Sequence, residues 1–116
     1  MAEHTELTRA DGQLVCRARV ATSFVSRFRG LMGVAQLPPE SGLLFPGSRS
    51  VHTHFMRFPI DVVFLDADRR VVSIARALRP WRFAAAKRAD SVLELAAGEC
   101  ARLGLAEGDV LEAVAA

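Results

Sequence analysis

At 116 residues the chain is close to the commonest size of a single protein domain. Hydrophobic residues make up 51% and charged residues 24% of it, which excludes an intrinsically disordered chain. No apolar run approaches the ~18 residues that span a membrane, and the formal net charge is only +2, so we expect a globular protein without a strongly basic surface overall.

The first residues are charged where a secretory signal would need an unbroken apolar stretch. We therefore expect a cytoplasmic protein, with a flexible segment at residues 1–12 and a single β domain at 13–116. Its two cysteines, Cys16 and Cys100, belong to no CxxC or Cys/His ligand pattern. Free thiols are favoured over a disulfide.

The first half of the chain predicts one strand, one helix and a second short strand. Apolar and polar residues alternate over 14–20, which indicates a half-buried strand with Cys16 in the core. Apolar residues at helical spacing predict a short helix from Phe24 to Met32, where glycines follow. After a proline-containing loop, an apolar run from Leu43 to Phe45 predicts a second strand.

The second half of the chain predicts mostly strands. Residues 51–58 are expected to be extended, and the turn at 66–69 should join strands 60–65 and 71–78 into a hairpin at the centre of the sheet. Residues 79–90 are expected to form a surface loop. Three further elements follow: a strand at 92–95, a helical turn at 98–104, and a last strand at 110–114, entered by a turn at Gly108 and Asp109. The prediction is a mainly β fold, a small sandwich or partly closed barrel of about seven short strands with one short helix.

Four segments carry a resemblance to a known family. They are RFRGLMG at 27–33, VHTHFMRFPIDVVFLD at 51–66, VLELAAG at 92–98 and GLAEGD at 104–109. In order and spacing they resemble DUF192, a family of proteins of unknown function, over the region from about Leu14 to the C-terminus. The resemblance implies a compact, mainly β fold and implies no activity.

Two positions depart from the family pattern. His54 stands where the resemblance leads us to expect an aromatic residue, and Ser48 stands where relatives often place a cysteine. A thiol and imidazole site of the family, if it used one, would therefore be incomplete in this chain.

His52 and His54 form a His-x-His pair. On a strand, residues i and i+2 project from the same face, so the two imidazoles could bind one transition metal, with Asp61 as the nearest acid after them. This would make the protein a metal-dependent enzyme. The third ligand that such a site needs is not apparent, so we expect no bound metal and no cofactor, and ordinary surface or core histidines.

The junction around Pro59 is the preferred binding site. Pro59 interrupts backbone pairing, and the polar groups around it carry donors and acceptors of both charges. We expect a non-enzymatic module that binds a small polar or anionic ligand there. The expected ligand-binding residues are His52, Thr53, Met56, Arg57 and Asp61.

The alternative is a protein or polyanion interaction through the segment 69–88. This segment holds seven basic residues and no acid, with Trp81 and Phe83 among them. No recognised nucleic-acid module is present and the net charge is low, so nucleic acid is not favoured, and we expect a solvated loop whose two rings pack down on the core. No nucleotide-binding glycine loop, GxSxG elbow or HExxH motif is present. The sequence therefore leaves open whether the protein is an enzyme. It does not predict an oligomeric state either.

Glu94 is the last residue that the sequence singles out. It lies between Leu93 and Leu95 in an apolar strand, so its side chain either reaches solvent or is buried beside a cation such as Arg27 or Arg57.

Overall fold

The structure is a computed structural model that describes residues 3–21 and 36–115, so the predicted helix from Phe24 to Met32 lies outside the described residues. The described part of the chain forms nine β-strands and one short helix. The elements are β1 (Glu3–Arg9), β2 (Leu14–Val20), β3 (Ser41–Pro46), β4 (Ser50–His52), β5 (Ile60–Leu65), β6 (Val71–Leu78), β7 (Phe83–Ala85), β8 (Ser91–Ala96), α1 (Glu99–Leu103) and β9 (Leu111–Ala115).

Seven strands form one curled sheet in the order β6-β5-β8-β3-β2-β1-β9. Neighbours are antiparallel except β2 and β3, which are parallel. The two end strands meet again at one point, where Arg70 pairs with Val110 and the Val71 amide donates to the Asp109 carbonyl over 2.8 Å. The predicted mainly β fold is confirmed, in its form of a partly closed barrel.

Strands β5 and β8 are buried on both faces, which explains their apolar runs. All six residues of β5 are buried. One set of their side chains, including Val63 and Leu65, packs with Cys100 and Leu103 of α1. The other set packs beneath the chain segments that contain β4 and β7, and it comprises Ile60, Val62 and Phe64.

The structure differs from the sequence-based prediction at three strands. Residues 1–12 were expected to be flexible, yet β1 pairs with β2 on one side and β9 on the other. β1 was not predicted because its sequence is mostly polar: among residues 4–9 only Leu7 is fully buried. β6 was expected to be central but stands at one end of the strand order, and β7 lies within the predicted loop at 79–90.

β4 and β7 form a separate two-stranded ribbon that covers one face of the sheet. Side chains alternate across a strand, and here Val51 and Ala84 pack against the core while their neighbours face solvent. At the end of the ribbon His52 pairs with Phe83, and both side chains are exposed. The ribbon therefore presents an outer surface that the core does not need.

Candidate ligand-binding face

Asp61 lies in β5 and is almost completely buried. Its Oδ1 accepts a hydrogen bond from the Ala77 amide at 2.9 Å, and its Oδ2 accepts from the amides of Gly98 at 3.2 Å and Cys100 at 2.9 Å. The carboxylate thus satisfies the first amides of α1 and holds a register shift between β5 and β6. Both of its oxygens are used by the fold.

Thr53 is also completely buried and joins two loops. Its hydroxyl donates to the Arg79 carbonyl at 2.6 Å and accepts from the Arg82 amide at 2.8 Å. Its backbone carbonyl accepts from the amides of Met56 at 3.2 Å and Trp81 at 3.0 Å. Thr53 therefore fixes the turn that follows β4 against the loop that precedes β7.

The side chains of Met56 and Arg57 differ in exposure. Met56 is buried in the core beneath the ribbon, whereas Arg57 is exposed. Of the five residues that the sequence proposed for one site, the structure leaves only His52 and Arg57 on the surface. Thr53, Met56 and Asp61 lie beneath it.

The two loops joined at Thr53 bring together a cluster of rings at the surface, four of them exposed and His54 half-buried, called here the aromatic face. It comprises His52, His54, Phe55, Trp81 and Phe83. Side chains of Phe55, Trp81 and Phe83 are 64%, 55% and 67% exposed. Ring centroids are 5.0 Å apart for the two histidines, 5.2 Å for His54 and Trp81, and 4.8 Å for Phe55 and Trp81. Four of the rings are therefore in contact in one row, and the fifth, Phe83, belongs to the residue that pairs with His52 across the ribbon.

Two of these rings are carried by an unusual backbone. Phe55 has φ 66° and Trp81 has φ 64°, in the left-handed region where bulky residues rarely lie. Such a conformation costs about 1–3 kcal/mol and persists where the surroundings enforce it, which the hydrogen bonds of Thr53 do here. The fold therefore holds two large apolar rings towards solvent at an energetic cost.

The chain around the aromatic face is basic. Residues 49–58 and 79–88 contain six basic side chains and no acid. All six are exposed, and none of them forms an ion pair within the described part of the chain. Arg57 follows Phe55 by two residues, and Arg79 and Arg82 flank Trp81. The remaining three are Arg49, Lys87 and Arg88.

Sequence reasoning identified part of this face. The two histidines were considered as a metal pair that is not expected to hold a metal, and His52 was expected to bind the ligand. Trp81 and Phe83 were expected to pack on the core, and Phe55 was given no role. No periodicity marks Phe55 as exposed, because it lies in a turn. The face is created by the pairing of β4 with β7, which are far apart in the sequence. The local sequence pattern of either strand does not predict this pairing.

His52 and His54 are close enough for both imidazoles to approach one ion. However, no group of three or more His, Cys, Asp or Glu side chains gathers within residues 3–21 and 36–115 in a way that could hold a metal. The neighbouring arginines also raise the electrostatic cost of a bound cation. The local charge thus favours an anion at this surface.

Glu94 lies on β8 beneath the ribbon, between Leu43 and Val62 of the adjacent strands. It is only 3% exposed, and its Oε1 has no hydrogen-bond partner among the described residues. Burial raises the pKa of Glu94 to about 8. The carboxyl is therefore mainly protonated at neutral pH. Of the two cations proposed as partners, Arg57 is exposed and Arg27 lies outside the described residues.

A concave region lies at the opposite end of the sheet from the aromatic face. This cleft of about 200 Å³ is lined by Arg9, Ala10, Asp11, Asp109 and Val110. Arg9 and Asp109 already form an ion pair at 3.5 Å, and the guanidinium also donates to the Leu103 carbonyl. Its charges are thus used within the protein, and the aromatic face remains the stronger candidate site.

Solved structures show the same fold. A crystal structure from Sinorhizobium meliloti, described as a candidate transcription regulator, superposes with a TM-score of 0.84 at 28% identity and covers 97% of this chain and 94% of that one. A protein of unknown function from Novosphingobium aromaticivorans gives a TM-score of 0.81 at 28% identity, over 96% of this chain and 84% of that one.

Sequence comparison gives archaeal relatives named UPF0127 proteins. One from Pyrococcus furiosus is 38% identical over 102 residues, which cover 81% of this chain and 84% of that protein. One from Thermococcus sibiricus is 38% identical over 105 residues, which cover 83% of this chain but 65% of that protein. The sequence profile of DUF192, described as an uncharacterized ACR, matches residues 6–113. The chain therefore belongs to the DUF192 family.

Proposed function

We propose that the protein is a binding module whose aromatic face binds an anion that carries a flat ring. The observation that carries this proposal is the exposure of Phe55, Trp81 and Phe83 beside unpaired arginines. Large exposed apolar side chains in one patch are a mark of binding surfaces. The site is the surface of the junction that the sequence indicated, with His52 and Arg57 retained as ligand contacts.

The positive charge around the rings favours an anionic ligand. Arg57, Arg79 and Arg82 lie next to the rings in sequence, and the two chain segments that build the face contain no acid. Guanidinium groups bind phosphate and carboxylate through paired N–H donors. A ligand with a negative group and a planar ring satisfies both parts of the surface, and a nucleotide is the simplest common example.

In this proposal Thr53 and Asp61 have a structural role. Thr53 positions both loops through its hydrogen bonds, and Asp61 holds the strand that leads away from them. Neither is expected to touch the ligand. The description of the Sinorhizobium meliloti protein as a candidate transcription regulator is in keeping with a nucleotide-type ligand.

A cytoplasmic location also belongs to this proposal. No helix among the described residues is long and apolar enough to cross a bilayer. Cys16 and Cys100 are both free and buried. Free thiols are usual in a reducing compartment, which supports a cytoplasmic location.

Trp81 provides a direct test because it is the only tryptophan of the chain. Its fluorescence is measured while uridine monophosphate is added, with uridine and inorganic phosphate as matched half-ligands. We expect saturable quenching by the nucleotide, with an affinity at least about ten-fold above that of either half. Phe55→Ala and Arg82→Gln should each weaken binding.

The control is Arg70→Gln, which removes an equal charge at the opposite end of β6 from the loop that carries Trp81. It should bind the nucleotide as the unaltered protein does. Equal quenching by uridine, phosphate and uridine monophosphate, or an equal loss of affinity in the Arg70 variant, would contradict the proposal.

A further inference from the structure

The aromatic face is larger than one nucleotide requires. A mononucleotide brings one base and one phosphate group, whereas the face carries four rings in contact with one another and a fifth, Phe83, whose residue pairs with His52 across the ribbon. Three of the rings are more than half exposed, and their tilted packing leaves ring surfaces accessible to several flat groups. The face is thus suited to successive bases.

The basic side chains extend beyond the rings along the β4–β7 ribbon. The Arg49 carbonyl accepts a hydrogen bond from the Ala86 amide at 2.9 Å, which places Arg49 at the far end of the ribbon from the face. Lys87 and Arg88 follow Ala86 directly. Arg49 precedes His52 by three residues, a distance of about 10 Å along a strand. A ligand with a single anionic group cannot use both ends of this basic track.

We infer that the ligand of this face is a single-stranded nucleic acid, an inference that rests on the proposed function and specifies its ligand. Bases of a single strand are unpaired and can stack on exposed side-chain rings, while the successive phosphates follow a basic track. In a duplex the base faces are covered by stacking, so the rings would have no partner. The aromatic face binds the bases, and the arginines on both sides bind the backbone.

The expectation that accompanied the argument against nucleic acid, that the two rings pack on the core, is wrong. The sequence favoured rings packed on the core, but Trp81 and Phe83 are 55% and 67% exposed. The low net charge of the whole chain remains, yet the cations are concentrated on the segments of this one surface. Local charge, not net charge, sets the field that a bound strand experiences.

The test uses the whole protein and fluorescein-labelled twelve-nucleotide strands of thymidylate and of uridylate, with anisotropy as the readout. A duplex of the same length and inorganic polyphosphate are the controls. We expect at least one single strand to bind about ten-fold or more tightly than both controls and than the mononucleotide. Comparison of the two strands distinguishes DNA from RNA as the source of the ligand.

Variants separate base contacts from phosphate contacts. Phe55→Ala and Phe83→Ala should each weaken binding about five- to a hundred-fold, the effect of removing one stacked base, without changing the salt dependence. Arg79→Gln should reduce the slope of log affinity against log salt by about 0.7, the value for one phosphate on a single strand. Arg70→Gln should change neither quantity.

The outcomes distinguish this inference from the proposed function. If uridine monophosphate binds but neither twelve-nucleotide strand binds more tightly, the inference is overturned and the proposed function stands. Binding of duplex or polyphosphate as tight as that of the strands overturns it as well, because the rings then contribute nothing. If neither nucleotide nor strand binds, both proposals fail, and the face is better assigned to an acidic protein partner.

Discussion

Glu94 shows how one residue can couple stability to pH. Its carboxyl is buried between Leu43 and Val62, and one oxygen lacks a partner among the described residues. Ionisation there would place an uncompensated charge in the core, which is why burial raises the pKa of Glu94 from 4.5 to about 8. The native state therefore holds a proton that the unfolded chain releases above pH 4.5.

The sign of the pH effect follows from this difference. Between pH 4.5 and about 8 the native state binds more protons at this site than the unfolded state, so the contribution of Glu94 to stability falls as pH rises and levels off above that range. The slope approaches about 1.4 kcal/mol for each pH unit. Glu94→Gln should match the unaltered protein near pH 4.5 and exceed its stability by a few kcal/mol at pH 8.

Urea unfolding at several pH values measures this prediction. The control is Glu107→Gln, which changes an exposed carboxylate in the turn before β9 and should leave the pH profile as it is. A Glu94→Gln protein whose stability ran parallel to that of the unaltered protein from pH 4.5 to 8 would show that the buried carboxyl has a compensating partner.

At the scale of elements, Thr53 connects the turn after β4 with the loop before β7. Replacing it by valine keeps the shape but removes the hydroxyl, which leaves the Arg79 carbonyl and the Arg82 amide without this partner. An unsatisfied buried group costs about 1–3 kcal/mol. Thr53→Val should lose stability of this order and change the emission of Trp81, because the loop that carries Trp81 then keeps only its backbone hydrogen bonds to residue 53.

Thr53→Ser is the matched control for this change, since it keeps the hydroxyl and removes only the methyl group. Its Trp81 emission should remain that of the unaltered protein. A shift of the emission in Thr53→Ser but not in Thr53→Val would show that the methyl contact and not the hydrogen bonds of the hydroxyl holds the two loops.

The approach of β2 and β3 depends on Gly42. A Cβ atom at this position would lie 2.9 Å from the Cys16 sulfur, 3.1 Å from Leu95 Cδ2 and 3.2 Å from Leu93 Cδ1. Each of these neighbours is buried in the core and has little room to move. Gly42→Ala should therefore destabilise the protein by about 1–3 kcal/mol.

A double-mutant cycle tests the cause of this cost. Cys16→Ala removes the sulfur that lies nearest to the new methyl group. In the Gly42→Ala background it should cost less than it does alone, with a coupling of about 1 kcal/mol. Strictly additive effects of the two changes would mean that the strain of Gly42→Ala comes from the leucines.

At the scale of the whole molecule, the curled sheet and α1 enclose a core that contains both cysteines. Both are completely buried, and burial is the main cause that raises the pKa of each thiol to about 12. A smaller cause is the negative charge of Glu99 for Cys16 and of Asp61 for Cys100. Neither thiol is expected to react while the protein is folded.

Labelling with a thiol reagent measures this protection. Because Cys16 and Cys100 belong to one core cluster, we expect both to react only through global unfolding, with the same dependence on urea. The single-cysteine variants Cys16→Ala and Cys100→Ala assign the rates to each thiol. Faster labelling of Cys100 than of Cys16 at low urea would show that α1 opens separately from the sheet.

The sequence alone determined much of the curled sheet. Strands β2, β5 and β6 lie where alternation or apolar runs placed them, because these patterns reflect the burial of one or both faces of a strand. The predicted turn before β9 is present, with the Ala106 amide donating to Asp109. The free state of both cysteines also agrees with the prediction.

Only the tertiary structure decided which polar residues serve the fold and which face solvent. Asp61 and Thr53 resemble ligand-binding residues in the sequence, yet their hydrogen bonds go to amides and carbonyls between 16 and 39 residues away. Phe55, Trp81 and Phe83 resemble core residues, yet the β4–β7 pairing holds them outside. Local sequence records the hydrophobicity of a side chain, whereas its exposure depends on long-range pairing of strands and loops that no local pattern specifies.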